Sequence, residues 1–221
     1  FWWSPNSKQL VFMRMDDTNV PLFPIYSEAG QHGYSENTRY PKAGDPNPTV
    51  RVGFTSPEGG KLTWADFNEK DDQYFGMPYW TPDGNTALVQ WMNRGQDQLI
   101  IYAVDPSTGN KKELYKEEQK TWIDLDDQGG RITFLPNKKG FILQSDKDGW
   151  EQLYWHNMDG SLKNKITTGS NWSTNVRFID TIKNVNQFFK SISTEVRANI
   201  KSKKLIQILE FPVLFLGAKP S

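Results

Sequence analysis

The chain has no cysteine among its 221 residues. That excludes disulfides and thiolate metal sites, and it leaves the compartment open. It has two histidines, His32 and His156, too few and too far apart in sequence to suggest a transition-metal site. Neither sign of charge is in excess, since 26 Lys and Arg balance 26 Asp and Glu. A neutral balance leaves no electrostatic footprint for nucleic acid or for an anionic membrane surface. No apolar run reaches the roughly 18 to 20 residues that a membrane-spanning helix needs. No Gly-x-Ser-x-Gly elbow is present, and Gly169-Ser-Asn lacks the second glycine. A Ser-His-acid triad therefore has no candidate here, and no catalytic, metal or cofactor residue is assigned. The opening Phe1-Trp2-Trp3 carries neither an initiator Met nor a leader and starts inside an apparent strand. The chain is therefore expected to be a fragment.

What is present in quantity is aromatic. Nine Trp, eight Tyr and thirteen Phe suit many short, half-buried strands between polar turns. Those strands repeat. Trp3-Ser-Pro-Asn, Trp80-Thr-Pro-Asp and Phe134-Leu-Pro-Asn each give an aromatic, a spacer, Pro, then Asn or Asp. Each is followed by a polar turn and an alternating apolar strand, as in Gln9-Leu-Val-Phe12 or Gly140-Phe-Ile-Leu143. Pro presets φ for the first turn position, and Asn, Asp and Gly tolerate the left-handed one, so each unit opens with a hairpin.

A second hairpin completes each unit. The turns are Pro57 to Gly60, Asp105 to Gly109, and Asp159-Gly160, each between two short strands. Four antiparallel strands recurring near every fifty residues predict an all-β chain, a partial β-propeller. The expected blades cover 1–66, 75–116 and 122–169, with an irregular fourth starting at 175–181. A β-sandwich is the competing fold, but it does not require one turn at a fixed offset. Residues 182–221 lose both the turn and the period of two, and are expected to form an irregular tail.

The first unit is longer because of a loop from Asp16 to Asn47. Its end, Tyr40-Pro-Lys-Ala-Gly-Asp-Pro-Asn-Pro48, holds three prolines and cannot be helix or central strand. Thr49 to Phe54 alternates and reads as a strand. Because consecutive strands are antiparallel, successive connections fall on opposite ends of a blade. The aromatic-x-Pro and Asp-Gly turns share one face. The Asp16–Asn47 loop shares the other with the interblade segments Asp66 to Met77, Lys116 to Gly130 and Gly169 to Asn175. Long charged loops make that second face the expected binding face.

Carboxylates gather in those interblade segments: Asp71-Asp72, Glu117-Glu118, and Asp124 with Asp126-Asp127. Such pairs can bind a cation, bind a substrate amine, or simply be solvated. Asp124-Leu-Asp-Asp127 lacks the glycine and glutamate of a Ca²⁺ loop. Asn171-Trp-Ser173 fits a glycosylation sequon, which has meaning only in a secretory setting.

Three stretches in order carry a family resemblance: Trp2-Trp-Ser-Pro-Asn6, Asp17-Thr-Asn-Val-Pro-Leu22, and Tyr40-Pro-Lys-Ala-Gly44 with Asn47-Pro48. They resemble the propeller domain of the dipeptidyl peptidase IV family, bacterial type, and the likeness weakens toward residue 180. The resemblance implies a serine exopeptidase that removes dipeptides with Pro or Ala in second position. It implies an α/β-hydrolase domain of the same parent chain carrying the triad, a peptide substrate, a homodimer, and a periplasmic or cell-surface setting. The glutamate pair by which the family holds the substrate amine precedes its Trp-Trp-Ser-Pro motif and is absent here, as is the triad. One segment carries over. Trp122-Ile123 matches the opening of the family's leaving-group loop, so Trp122, Asp124, Asp126 and Asp127 are the expected substrate-facing residues. The aspartates depart from the aromatic and arginine pattern of the animal enzymes. The competing function is a non-catalytic propeller serving as a binding module of a periplasmic or cell-surface assembly.

Overall fold

A computed structural model describes residues 1–126, 129–136 and 138–170, with Thr174, Val176 and Ile179. The readings placed on Asp127, on the sequon Asn171–Ser173 and on the tail 182–221 lie outside the described residues, as does most of the fourth blade's start. The described residues contain strands and no helix. In the first unit these are β1 (Trp2–Trp3), β2 (Leu10–Asp16), β3 (Leu22–Ser27), β4 (Tyr34–Arg39), β5 (Thr49–Thr55) and β6 (Thr63–Trp64). The second has β7 (Gln73–Phe75), β8 (Tyr79–Trp80), β9 (Ala87–Asn93), β10 (Gln98–Val104) and β11 (Lys111–Glu118). The third has β12 (Ile132–Phe134), β13 (Gly140–Ser145), β14 (Gln152–Asn157) and β15 (Leu162–Lys165).

Each unit is one antiparallel sheet: β1-β2-β5-β6, then β11-β10-β9 with β7 and β8 both on β9, then β12-β13-β14-β15. These are three consecutive propeller blades. The repeated motif holds one register throughout. Trp3 pairs with Leu10, Trp80 with Ala87 and Phe134 with Phe141, each aromatic ending the first strand of its blade. The turn bonds repeat too: Ser7 N to Ser4 O, Gly84 N to Thr81 O, and Lys138 N to Leu135 O, at 2.8, 2.8 and 2.9 Å. One detail differs from expectation. Gly84 holds the left-handed position as the sequence predicts, whereas Ser7 and Lys138 hold it in the other two turns, and Asn6 and Asp83 do not. Asn6 and Asp83 instead accept the N–H groups of Lys8 and Asn85 at 3.0 and 3.1 Å, closing the turn with their side chains.

The core lies between blades, and strand alternation builds it. Ala87 and Val89 of β9 face Val11, Val52 and Phe54 of the first blade. Leu88, one residue out of phase, faces Ile132, Phe141 and Leu143 of the third. The strands β9 and β10 are therefore buried on both faces, which explains their nearly continuous apolar sequences. Trp80 packs edge-on against Phe54 and donates its indole N–H to the Trp2 carbonyl at 3.2 Å. The tight turns seal the same seams. Gly109 and Gly160, both at positive φ, lie with their α-carbons against the carbonyls of Trp64 and Leu114 in the preceding blade.

Two features depart from the sequence reading. The Asp16–Asn47 loop contains a hairpin, β3 paired with β4. Pro24 obscured it in the sequence, yet Pro24 is tolerated because of phase. Tyr40 N bonds Pro21 O at 3.1 Å, so Pro24 and Asn37 form a non-hydrogen-bonded pair, and the proline nitrogen points to the open edge. Second, the first strand of blade two is split. Gly76-Met77-Pro78 interrupts it between β7 and β8, although both halves pair with β9.

Candidate functional site

The hairpin base and the interblade loops meet at one end of the blades. Asn47 donates to Asp72 at 3.2 Å and to the Tyr74 hydroxyl at 2.9 Å. Asp72 also pairs with Arg94 at 3.6 Å, in the β9–β10 turn. That turn in turn supports the Trp122 segment, because Gln119 N bonds Asp97 O at 3.0 Å and Ile123 N bonds Gln96 O at 2.8 Å. The long loop and the Trp122 segment therefore share a face, as antiparallel connectivity requires. A cleft of about 190 Å³ on this face is lined by Arg14, Asp16, Thr49, Arg51 and Glu69. Its charges are already paired, Arg51 with Glu69 at 3.2 Å and Arg14 with Asp16 at 3.8 Å.

Residues after Thr121 alternate like a strand without pairing as one. Trp122 is 70 % exposed, while Ile123 is wholly buried against Met92 and Leu99. Asp124 is exposed and Leu125 packs on the same apolar cluster as Ile123. Asp126 is half-buried and its carboxylate turns inward, accepting the Tyr79 hydroxyl and the N–H groups of Gly129, Gly130 and Arg131 at 2.8, 3.1 and 3.2 Å. Burial raises the pKa of Asp126, but the bonds from Tyr79 and those three N–H groups outweigh it and hold the carboxyl below its usual range. Burial and the facing Asp126 push the Tyr79 phenol well above its usual value. The Arg131 guanidinium reaches the Asp124 carbonyl. Of the expected substrate-facing residues, Trp122 and Asp124 present side chains to solvent, and Asp126 is bonded within the loop.

The other acidic clusters resolve into structural roles. Glu117 and Glu118 lie in β11, not in a loop. Glu117 is buried and accepts the hydroxyls of Tyr115 and Ser145 at 2.6 and 2.7 Å, tying blade two to blade three. Glu118 pairs with Lys116 at 2.8 Å on the surface. Asp71 accepts the Asn68 amide at 2.6 Å. His32 is exposed in the β3–β4 turn, and His156 is buried in β14. No cluster of metal-binding side chains occurs among the described residues. Sequence reasoning passed over Tyr79 and Gln90, which hold the Trp122 loop from beneath. The available signal was Gln90 itself, a lone polar residue inside the apolar strand Ala87-Leu-Val-Gln-Trp-Met92.

Three blades with one repeated register, and a loop-bearing face built over the second, define a piece of a β-propeller. The family description "Dipeptidyl peptidase IV (DPP IV) N-terminal region" matches residues 1–196, and the chain belongs to that family. It is similar to dipeptidyl peptidase 4 of Arthroderma otae, with 29% identity over 193 residues, 81% of this chain and 24% of the relative. It is 30% identical over 127 residues to the inactive dipeptidyl peptidase 10 of Rattus norvegicus, covering 55% of this chain and 16% of that one. The crystal structure of Porphyromonas gingivalis dipeptidyl peptidase 4 superposes with a TM-score of 0.66 at 25% identity, covering 76% of this chain and 24% of that one. The chain thus spans about a quarter of the length of its full-length dipeptidyl peptidase 4 relatives.

Proposed function

We propose that this chain is the propeller portion of a serine-type dipeptidyl peptidase. The parent would remove N-terminal dipeptides with Pro or Ala in second position, and this portion would shape access to a hydrolase domain elsewhere in the parent chain. Membership of the family carries the reading. The loop-bearing face adds to it, with Trp122 and Asp124 exposed on a segment whose base is held by backbone hydrogen bonds to the β9–β10 turn. In this reading Trp122, Asp124 and Asp127 face the leaving peptide, while Asp126 gives the loop its shape. Negative charge there favours a basic residue just beyond the scissile bond, through a screened attraction of about a kcal/mol or less per pair. The homodimer is part of the same proposal. Its supporting surface is the β3–β4 hairpin, where Leu22, Ile25, Tyr26 and Tyr34 are exposed.

A non-catalytic parent is the second reading, favoured by the similarity to a relative named as inactive. The loop is tested in the full-length parent by changing Asp124 and Asp127 to Asn and comparing kcat/KM for peptides with Lys or Glu after the cut. The Lys-to-Glu ratio is expected to fall. An unchanged ratio means that the loop does not read the leaving peptide.

A further inference from the structure

The split in the first strand of blade two has a specific outcome. At Met77 the chain peels away from β9, and the Met77 N–H donates to the Asp126 carbonyl at 2.9 Å. The Met77 carbonyl accepts the Gln90 amide at 2.8 Å. The same Gln90 amide also reaches the Asp126 carbonyl at 3.2 Å. Gly76 permits this approach, since a Cβ there would stand 2.6 Å from that carbonyl. On the other side of Asp126, its carboxylate takes the Tyr79 hydroxyl, and Arg131 N donates to the Tyr79 oxygen at 3.1 Å. Backbone and side chain of one loop residue are thus bonded by two side chains of the blade beneath.

Packing alone does not account for Gln90. It is fully buried, and its Oε1 has no hydrogen-bond partner among the described residues. A buried acceptor without a partner costs stability, and an apolar side chain of equal volume would fill the space without that cost. What the glutamine supplies is two donated bonds that join the strand break to the loop.

We infer that Tyr79, Gln90 and Asp126 form an anchor that fixes the Trp122 loop, and that Tyr79 and Gln90 are positioning residues for the leaving side of the site. The anchor stands on the contacts above. The positioning role rests on the loop reading proposed in the preceding section. It assigns different work to neighbouring carboxylates: Asp126 sets the loop's shape, and the exposed Asp124 supplies charge at its surface.

The test uses the full-length parent with Tyr79→Phe, Gln90→Met and, as a control outside the anchor, Tyr102→Phe. Amide hydrogen exchange across residues 122–131 is the first readout. Exchange is expected to rise about fivefold or more in the two anchor variants and not in the control, as loss of one net hydrogen bond implies. The second readout is kcat/KM for a peptide extending beyond the cut, divided by kcat/KM for a dipeptide reporter with a small leaving group. A general loss of stability lowers both rates together, whereas a misplaced loop lowers the ratio. Raised exchange with a lowered ratio supports the inference in full. Raised exchange with an unchanged ratio leaves the anchor standing and overturns the positioning role along with the loop reading. Unchanged exchange in both anchor variants overturns the anchor.

Discussion

The imidazole of His156 lies parallel to the ring of Phe141, with 5.4 Å between centroids and 10° between planes. Tyr115, from the preceding blade, meets the same imidazole edge-on at 5.4 Å. Nδ1 sits 2.8 Å from the Gly160 carbonyl, and buried Nε2 has no hydrogen-bond partner among the described residues. Protonation would therefore place an N–H in an apolar seam with nothing to accept it. Burial lowers the His156 pKa, the Gly160 carbonyl opposes that shift, and the charge of Lys147 adds to it.

The sign follows. The unfolded chain binds a proton near the ordinary histidine value of about 6.5, and the folded chain does so only at lower pH. Stability from this group is complete above that value and falls as pH drops below it. Urea midpoints at about pH 7.5 and about pH 5 should differ more for the wild-type chain than for His156→Leu. Equal losses in the two proteins would show that His156 is not held neutral in the seam.

The seam glycines make a second, independent prediction. Gly160 and Gly149 both adopt positive φ, at 87° and 88°, but only Gly160 has a neighbour where a Cβ would go. Gly149→Ala should cost only the left-handed backbone, about 1 kcal/mol. Gly160→Ala and Gly109→Ala should cost about 1–3 kcal/mol more, because the preceding blade's carbonyl has to move. Denaturant unfolding measures all three. Equal costs for Gly149→Ala and Gly160→Ala would mean that these blades do not pack through their turns.

The hairpin offers a third test. A two-stranded ladder is marginal alone, and this one leaves Tyr26 66 % exposed beside Leu22 and Ile25. If the proposed homodimer forms through this hairpin, Ile25→Asp with Tyr26→Asp in the full-length parent should convert it to a monomer by light scattering, with secondary structure unchanged. A parent that stays dimeric with both aspartates in place would remove the hairpin from the dimer interface.

The blades were legible because their signal is local. The aromatic, the proline and the polar turn fall at fixed offsets, so Trp3, Trp80 and Phe134 mark equivalent strand ends whatever the tertiary packing. The β3–β4 hairpin was not legible, because Pro24 breaks the strand signal and only ladder phase makes it harmless. The roles of the carboxylates were also hidden. Glu117 looks like Glu118 in sequence, but alternation in β11 buries one and exposes the other. Asp124 and Asp126 likewise look alike, and what separates them is Tyr79, forty-seven residues from Asp126. Long-range partners of that kind leave no mark on local pattern.

We propose that this chain is the propeller portion of a dipeptidyl peptidase whose nucleophile lies elsewhere in the parent chain. The most direct measurement is dipeptide release from a Gly-Pro reporter, run side by side on the full-length parent and on the 221-residue chain. Release is expected from the parent, blocked by a serine-directed covalent inhibitor, and none from the chain alone above a blank. A parent that folds and releases nothing, or a chain that hydrolyses the reporter by itself, would contradict it.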